Sequence, residues 1–424
     1  MDEERVKSDY EEYLANGYRF NLVVSILDVG LYFFGIHVLS AAIVLPAFML
    51  RLGASDFLVA LLPAVQLVGM RLPQVAVPFF VEGKRHLKPW ILVMGTVQRL
   101  PWLLLIPLTL MLAESSPGVL LALFMLLFLA GNVGLGLSHP AWGDLIAKVI
   151  PEHLRGFMMG LNMMIGGGLG ILGGFIVKYI MESSRFAYPV NYAALFLVAS
   201  VIFWMSFGFF AMTREPLAPV APRPSDLRSY FTSLADLLRR DRRLCYFLLY
   251  QVLFYSFVMG LGLFMAHAVR TFSLSDAMAG NFVLAATISL TVASPILGVV
   301  ADRYGHRLVL AISALLYIAA TLAAMMATSW RTMYAVFILS AVSQIAWIIS
   351  MRNFVYTIAP PERRASYIAL SGTIPAPFVL IFSMAGGWLS QSTPLGYNLP
   401  FGISVVLTAV ALLVLVMGVR PNNQ

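Results

Sequence analysis

Asp28, Arg71, Arg99 and His139 are the residues of this chain best placed to do chemistry, because each interrupts a long apolar run. Ionisable groups in such runs are costly and usually functional. A carboxylate beside arginines feels two opposed pressures: the cations favour its charged form, and desolvation favours its neutral form. Such a group exchanges a proton or a salt-bridge partner, or it stays in a static pair that holds helices together. Residue types leave both readings open. Paired arginines also suit a solute bearing a carboxylate or phosphate and disfavour a cation, while a neutral sugar stays compatible.

Twelve apolar runs of spanning length position these groups. They fall at about 20–50, 56–81, 90–112, 118–147, 157–180, 189–212, 244–269, 277–301, 307–328, 332–357, 366–389 and 399–419. At 1.5 Å per residue from the cytoplasmic ends, all four groups lie on the order of 12–15 Å deep, near the middle of a ~30 Å hydrocarbon core. Four helices of the first half thus share one polar layer. On span 1, Asn21, Ser25, Asp28, Tyr32 and Gly35 lie on one face; on span 4, Asn132, Gly136, His139 and Gly143 do the same. Arg71 stands beside Gln74, and the Gln98–Arg99 pair beside Trp102. His37 falls on the far side of span 1 from Asp28 and is assigned to a packing or interfacial role. Deep polar residues of the second half are neutral: Gln251, Tyr255 and Gln344. Arg352 is close enough to the cytoplasmic end to snorkel. Any charged part of a solute is therefore expected to face the first half, with aromatic side chains such as Phe254, Trp347 and Phe378 opposite it.

Composition agrees with a membrane solvent. Of 424 residues, 60% are apolar and 11% charged, where a soluble domain carries roughly 25% charge. The net charge of +8 has a positional explanation: with both termini cytoplasmic, twenty Lys/Arg fall in cytoplasmic segments and five in external loops. That is the positive-inside bias, so no nucleic-acid partner is implied. Cys245 is the one cysteine, which excludes a disulfide framework. The acidic N-terminus lacks the basic start and short apolar core of a cleavable signal, so the first helix is expected to be retained.

A polar stretch divides the chain into a tail (1–19), a first bundle of six helices (20–212), a linker (213–243), a second bundle (244–419) and a tail (420–424). Within the linker, Ser225 is placed to cap an amphipathic helix carrying Leu227, Phe231, Leu234 and Leu238 on one face, followed by four arginines. That composition suits a helix lying on anionic lipid. The halves repeat weakly: Pro151 and Arg155 after span 4 recur as Pro360 and Arg364 after span 10. Duplication about a linker is a common transporter plan.

Between spans 8 and 9 the chain reads Gly298-x-x-x-Asp302-Arg303-x-Gly305-His306-Arg307. This resembles the loop signature of the major facilitator superfamily, with His306 in place of an arginine. Loop 2–3, with Glu82, Lys84 and Arg85, is similar to a degenerate sister copy, and Gly134-x-Gly136 through Pro140, Pro151 and Arg155 also resembles that superfamily. The resemblance implies an all-α integral membrane protein of twelve transmembrane helices in two pseudo-symmetric six-helix bundles. It implies a secondary transporter working by alternating access. It also implies a cytoplasmic gate of Gly298, Asp302, Arg303, Gly305 and Arg307 in the second half, and of Glu82, Lys84, Arg85, Asp144 and Arg155 in the first, with Arg364 as the repeat of Arg155.

On span 5, Gly168-x-Gly170-x-x-Gly173 formally matches a dinucleotide fingerprint, but no strand precedes it and it sits inside a span. Spacing of Gly166, Gly170 and Gly174 instead suits close helix packing. The run loosely resembles the superfamily's antiporter signature, without its proline. No zinc-protease pair, nucleophile elbow or P-loop occurs, so neither an enzyme nor an ATP-driven pump is expected, and no cofactor or metal. The expected partners are the lipid bilayer, a small organic solute and protons, for a monomer in a cell (inner) membrane. A neutral-sugar or amphipathic-compound exporter of the same fold is the alternative. A transport-dead sensor or scaffold is the alternative from another class.

Overall fold

The structure is a computed structural model and describes residues 10–13, 17–81, 84–217, 237–239, 241–274, 276–359 and 364–418. Among these residues there is helix and no strand. In a hydrocarbon solvent that outcome follows from the need to pair every backbone N–H and C=O within its own segment. The sixteen α-helices are α1 (Tyr18–Val38), α2 (Val44–Arg51), α3 (Asp56–Arg71), α4 (Val77–Val81), α5 (Lys88–Leu112), α6 (Pro117–Val149), α7 (Glu152–Glu182), α8 (Val190–Ala211), α9 (Arg242–Phe254), α10 (Phe257–Phe272), α11 (Asp276–Tyr304), α12 (His306–Met325), α13 (Thr332–Ile358), α14 (Arg364–Thr373), α15 (Ala376–Ser392) and α16 (Asn398–Gly418). The fold is an all-α membrane fold of twelve spans. Eleven helical segments of the described residues are long and apolar enough to cross a membrane.

Span 2 is the exception. It is α3, a 3-10 turn at Pro73–Ala76 and α4 in succession. Pro73 lacks the N–H that would bond Gly69, and its ring crowds that carbonyl, so a straight helix cannot run through it. The run at 20–50 is likewise divided: α1 stops at Val38 and α2 starts at Val44, because Pro46 cannot complete a helix through residue 42. Spans 7 and 11 each hold a short break, at Tyr255–Ser256 and Ile374–Pro375.

The chain forms two compact units, Met1–Leu39 with Gly69–Ser225, and Ser40–Val68 with Asp226–Gln424. In the first, α1 packs on α7 and α8, and α5 on α6 and α8. Gly136 on α6 has a specific job: a Cβ there would lie 2.3 Å from the Met70 carbonyl oxygen, so only glycine lets the end of α3 rest backbone-to-backbone on α6. Gly166 and Gly170 of α7 lie against Phe33 and His37 of α1, which gives the glycine run and His37 the packing roles expected. In the second unit α12 packs on α13 and α16, and α11 on α13. The linker helix with Ser225, Leu227, Phe231 and Leu234 lies outside the described residues, as do the 1–9 and 420–424 tails.

Candidate substrate and proton-coupling site

Three helices of the first unit bring Asp28, Arg99 and one unexpected residue, Ser206, into a buried network. Asp28 on α1 is 5% exposed and Arg99 on α5 is 7% exposed. The Ser206 hydroxyl of α8 donates to Asp28 Oδ1 at 2.6 Å and accepts from Arg99 Nη2 at 3.5 Å. The charged groups are thus joined through a hydroxyl rather than as a direct ion pair. Arg99 spends its other donors on the Phe203 carbonyl through Nε at 3.0 Å and on the Gly95 carbonyl and Gln98 Oε1 through Nη1. Its guanidinium also lies 4.7 Å from the Phe207 ring and 5.7 Å from the Tyr32 ring. Tyr32 in turn accepts a hydrogen bond from Gln98 Nε2 at 2.7 Å. Five side chains from three helices therefore form one polar knot in an aromatic shell, with Arg99 fixed to α5 and α8 whatever the state of Asp28.

Arg71 and Gln74 stand at the break in span 2, apart from that knot. Arg71 ends α3, where the last carbonyls of a helix favour a cation. Its Nε is buried and has no hydrogen-bond partner among the described residues. Asn132 packs beside this break, since a Cβ at Gly69 would lie 3.0 Å from Asn132 Cβ, and it donates to the Phe128 carbonyl one turn back. His139 lies 6.0 Å from the Trp142 ring. Of the four residues assigned to one polar layer, Asp28 and Arg99 are joined through Ser206, Arg71 ends α3, and His139 lies beside Trp142 on α6.

The second unit buries neutral groups among rings. Gln251 on α9 donates to the Ser371 carbonyl at 3.3 Å, while its Oε1 has no partner among the described residues. Tyr255 meets Trp347 edge-on at 5.5 Å, and Phe254 stacks on the same indole at 6.4 Å. Gln344 donates to the Ser340 carbonyl at 3.3 Å and borders a small cavity with Phe254, Phe257, Leu261, Tyr317 and Trp347.

At the rim, Gly305 has φ 89° and ψ 150°, a backbone open to glycine and little else; it turns the chain from α11 into α12. Arg307 donates to the Leu415 carbonyl at 3.2 Å and to that of Val416, capping the last turn of α16. Asp302 and Arg303 are exposed, and Gly298 faces open space. In the first unit Arg155 closes the α6–α7 turn by donating to the Ile150 and Ala147 carbonyls at 3.0 and 2.6 Å. Lys84 lies over Trp90, the Arg85 carbonyl accepts from Lys148 Nζ at 2.8 Å, and Asp144 is exposed on α6. Glu82 and the Arg364 side chain lie outside what is described.

Sequence reasoning missed the hub of this rim. Glu215, which follows α8, accepts from the Leu87 and Lys88 backbone N–H groups at 2.9–3.1 Å and pairs with Lys148 at 2.9 Å. One carboxylate thus caps α5 at its positive end and ties it to the end of α6. Ser206 was missed because a lone serine in a span ordinarily bonds its own helix.

Residues 247–424 match the family model described as Major Facilitator Superfamily. No curated protein sequence matches the chain. Solved structures similar to it include the xylose transporter XylE from E. coli, at 13% identity over 96% of this chain and 99% of that one, with a TM-score of 0.68. The nucleoside transporter NupG is similar at 13% identity over 93% and 99%, with a TM-score of 0.68. A bacterial homolog of the human lysosomal transporter Spinster is similar at 13% identity over 97% of each chain, with a TM-score of 0.68. Residues 247–424 thus resemble the Major Facilitator Superfamily in sequence, and the chain as a whole has the fold of these solved transporters.

Proposed function

We propose that the protein is a secondary active transporter that moves a small organic solute bearing a carboxylate or phosphate across a cell membrane by alternating access, coupled to protons. The observation that carries this reading is the buried Asp28–Ser206–Arg99 network. Ionised, Asp28 holds α1 to α8 through Ser206 and, electrostatically, to Arg99 on α5. Protonated, it gives up the charge-assisted part of that hold, while Arg99 stays tied to the Phe203 and Gly95 carbonyls. One proton therefore loosens α1 alone, which is the kind of local change that can be linked to a swing of helices.

Arg71 supports the solute's charge. Arg99 is occupied by its own network, whereas Arg71 Nε is buried without a partner beside an interrupted helix. Broken helices at mid-membrane are where transporters present unpaired backbone and charge to a substrate. The positive-inside bias supports cytoplasmic termini. XylE and NupG are named for xylose and nucleosides, so neutral solutes are the reading to test against.

The test is thermal stabilisation of the detergent-purified protein by a panel of anionic, neutral and cationic metabolites, since a ligand that binds the folded state raises the melting temperature. Anionic solutes are expected to stabilise the wild type and to lose that effect in Arg71→Gln. Stabilisation by neutral sugars, or equal binding by the variant, would assign Arg71 a structural role. Saturable counterflow in vesicles then separates a carrier from a sensor or scaffold.

A further inference from the structure

Helix α6 ends where Pro151 follows it. Proline has no N–H to return to the Ala147 carbonyl, and Ile150 turns extended at φ −118° and ψ 124°. The last four carbonyls of a helix need partners from elsewhere. Ile146 keeps the Ile150 N–H at 3.0 Å, and Ala147 accepts from Arg155 Nη2 at 2.6 Å. The N-terminal tail serves the other two. The Tyr10 hydroxyl donates to the Lys148 carbonyl and the Tyr13 hydroxyl to the Val149 carbonyl, each at 3.0 Å. Two phenols, 138 and 136 positions earlier in the chain, thus finish the cap of α6.

Tyr13 also reaches α1 and the chain after α8. Its hydroxyl accepts from Asn21 Nδ2. Asn21 is 1% exposed and holds the Arg214 backbone from both sides, donating to its carbonyl at 2.6 Å and accepting from its N–H at 2.8 Å. The Tyr13 ring packs against the buried cluster that includes Val81, Ile91, Leu145, Val149 and Phe210. A Cβ at Gly17 would lie 2.6 Å from Tyr13 Cδ2, so the ring folds back on the chain that enters α1. The tail, α1, α6 and the chain after α8 therefore meet at one phenol.

This attachment differs in kind from the buried Asn21–Arg214 tie. Tyr10 and Tyr13 are half-buried, and Glu11 and Glu12 between them are exposed. Water can therefore take over the hydroxyls and the carbonyls when the segment lifts, and no polar atom is left stranded. Burial pushes both phenols up from their ordinary range, which keeps them donors. Asn21 lies on the same face of α1 as Asp28, about two turns before it. What holds Asn21 bears on the helix that the proposed proton step loosens.

We propose that residues 10–13 are a detachable strap: docked, Tyr10 and Tyr13 clamp the start of α1 to the end of α6, and on lifting they free both ends together. The strap makes the N-terminal tail a handle on α1, separate from the network at Asp28.

Hydrogen exchange read by mass spectrometry on the detergent-purified full chain tests the strap without any transport, so failure of the transport reading leaves its outcome unchanged. Tyr10→Phe combined with Tyr13→Phe keeps both rings and removes both donors. It is expected to raise the exchange rate in peptides 10–22 and 146–156 together, by about tenfold, with 302–309 in the second unit unchanged. Tyr13→Phe alone is expected to give about fivefold in both peptides, as the loss of one hydrogen bond does. A rise confined to 10–22, parent-rate exchange in both peptides, or an equal rise at 302–309 overturns the strap. If the double variant fails to reach the membrane, Tyr10→Phe alone decides: about threefold is expected in both peptides, and parent-rate exchange at 146–156 overturns the strap.

Discussion

In the first unit a carboxylate and a guanidinium, Asp28 and Arg99, are buried within one hydrogen-bonded network. In the second unit Gln251 and Tyr255 are buried and Gln344 is half-buried beside Phe254 and Trp347, all of them neutral. Both bury polar atoms, but only the first joins a buried carboxylate and a buried guanidinium in one network among the described residues. A neutral amide left half-satisfied costs little and does not respond to pH; a carboxylate in the same place must stay paired or take up a proton. In the proposed cycle, energy coupling belongs to the first half of the molecule and shape and apolar contact to the second.

The largest expected effect comes from removing one member of the charged pair. Arg99→Leu strands Asp28 and should cost about 3–5 kcal/mol of stability, whereas Gln251→Leu removes an amide whose oxygen is already unpartnered and should stay within about 1 kcal/mol. Thermal unfolding in detergent checks both, and equal losses would break the comparison. Next is Gly136→Ala, whose Cβ collides with the Met70 carbonyl; overpacking of this kind costs about 1–3 kcal/mol. Gly298→Ala in the second unit meets no atom within 4 Å and should be neutral or slightly stabilising.

Ser206→Ala sharpens the comparison within the first unit. It removes the bridge between carboxylate and guanidinium and should cost about 1–3 kcal/mol, as for hydrogen bonds to charged groups. Its pH profile of stability or transport should shift as well, an effect not expected for Ser340→Ala across the chain. The rim offers a further pair. Gly305→Ala forces a side chain onto a φ of 89° and should cost about 1–3 kcal/mol, while Arg307→Gln loses a helix-end cap worth about 0.3–1 kcal/mol. Comparing their melting curves separates backbone strain from charge.

The fold was legible because a bilayer imposes a long apolar period on each span, and the signature between Gly298 and Arg307 marks one loop whose backbone needs glycine. Spans broken by Pro46 and Pro73 read as continuous, because hydropathy averages over a proline that changes only a few hydrogen bonds. Among the site residues, Asp28 and Arg99 were legible because charge in a span is rare. Ser206 and Glu215 were not. Each is an ordinary residue whose importance comes from a partner about a hundred or more positions away, and no local spacing records such a pairing. Depth alone placed Arg71 and His139 with Asp28; depth carries no information on which way each helix is turned, and the break at Pro73 resets that turn for span 2.

The measurement that tests the central claim most directly is solute accumulation in proteoliposomes under an imposed pH gradient, with counterflow recorded on the same vesicles. The account predicts that Asp28→Asn keeps counterflow and loses gradient-driven accumulation. Accumulation by Asp28→Asn at the wild-type level, with the same pH dependence, would contradict it and leave the Asp28–Ser206–Arg99 network as a structural tie.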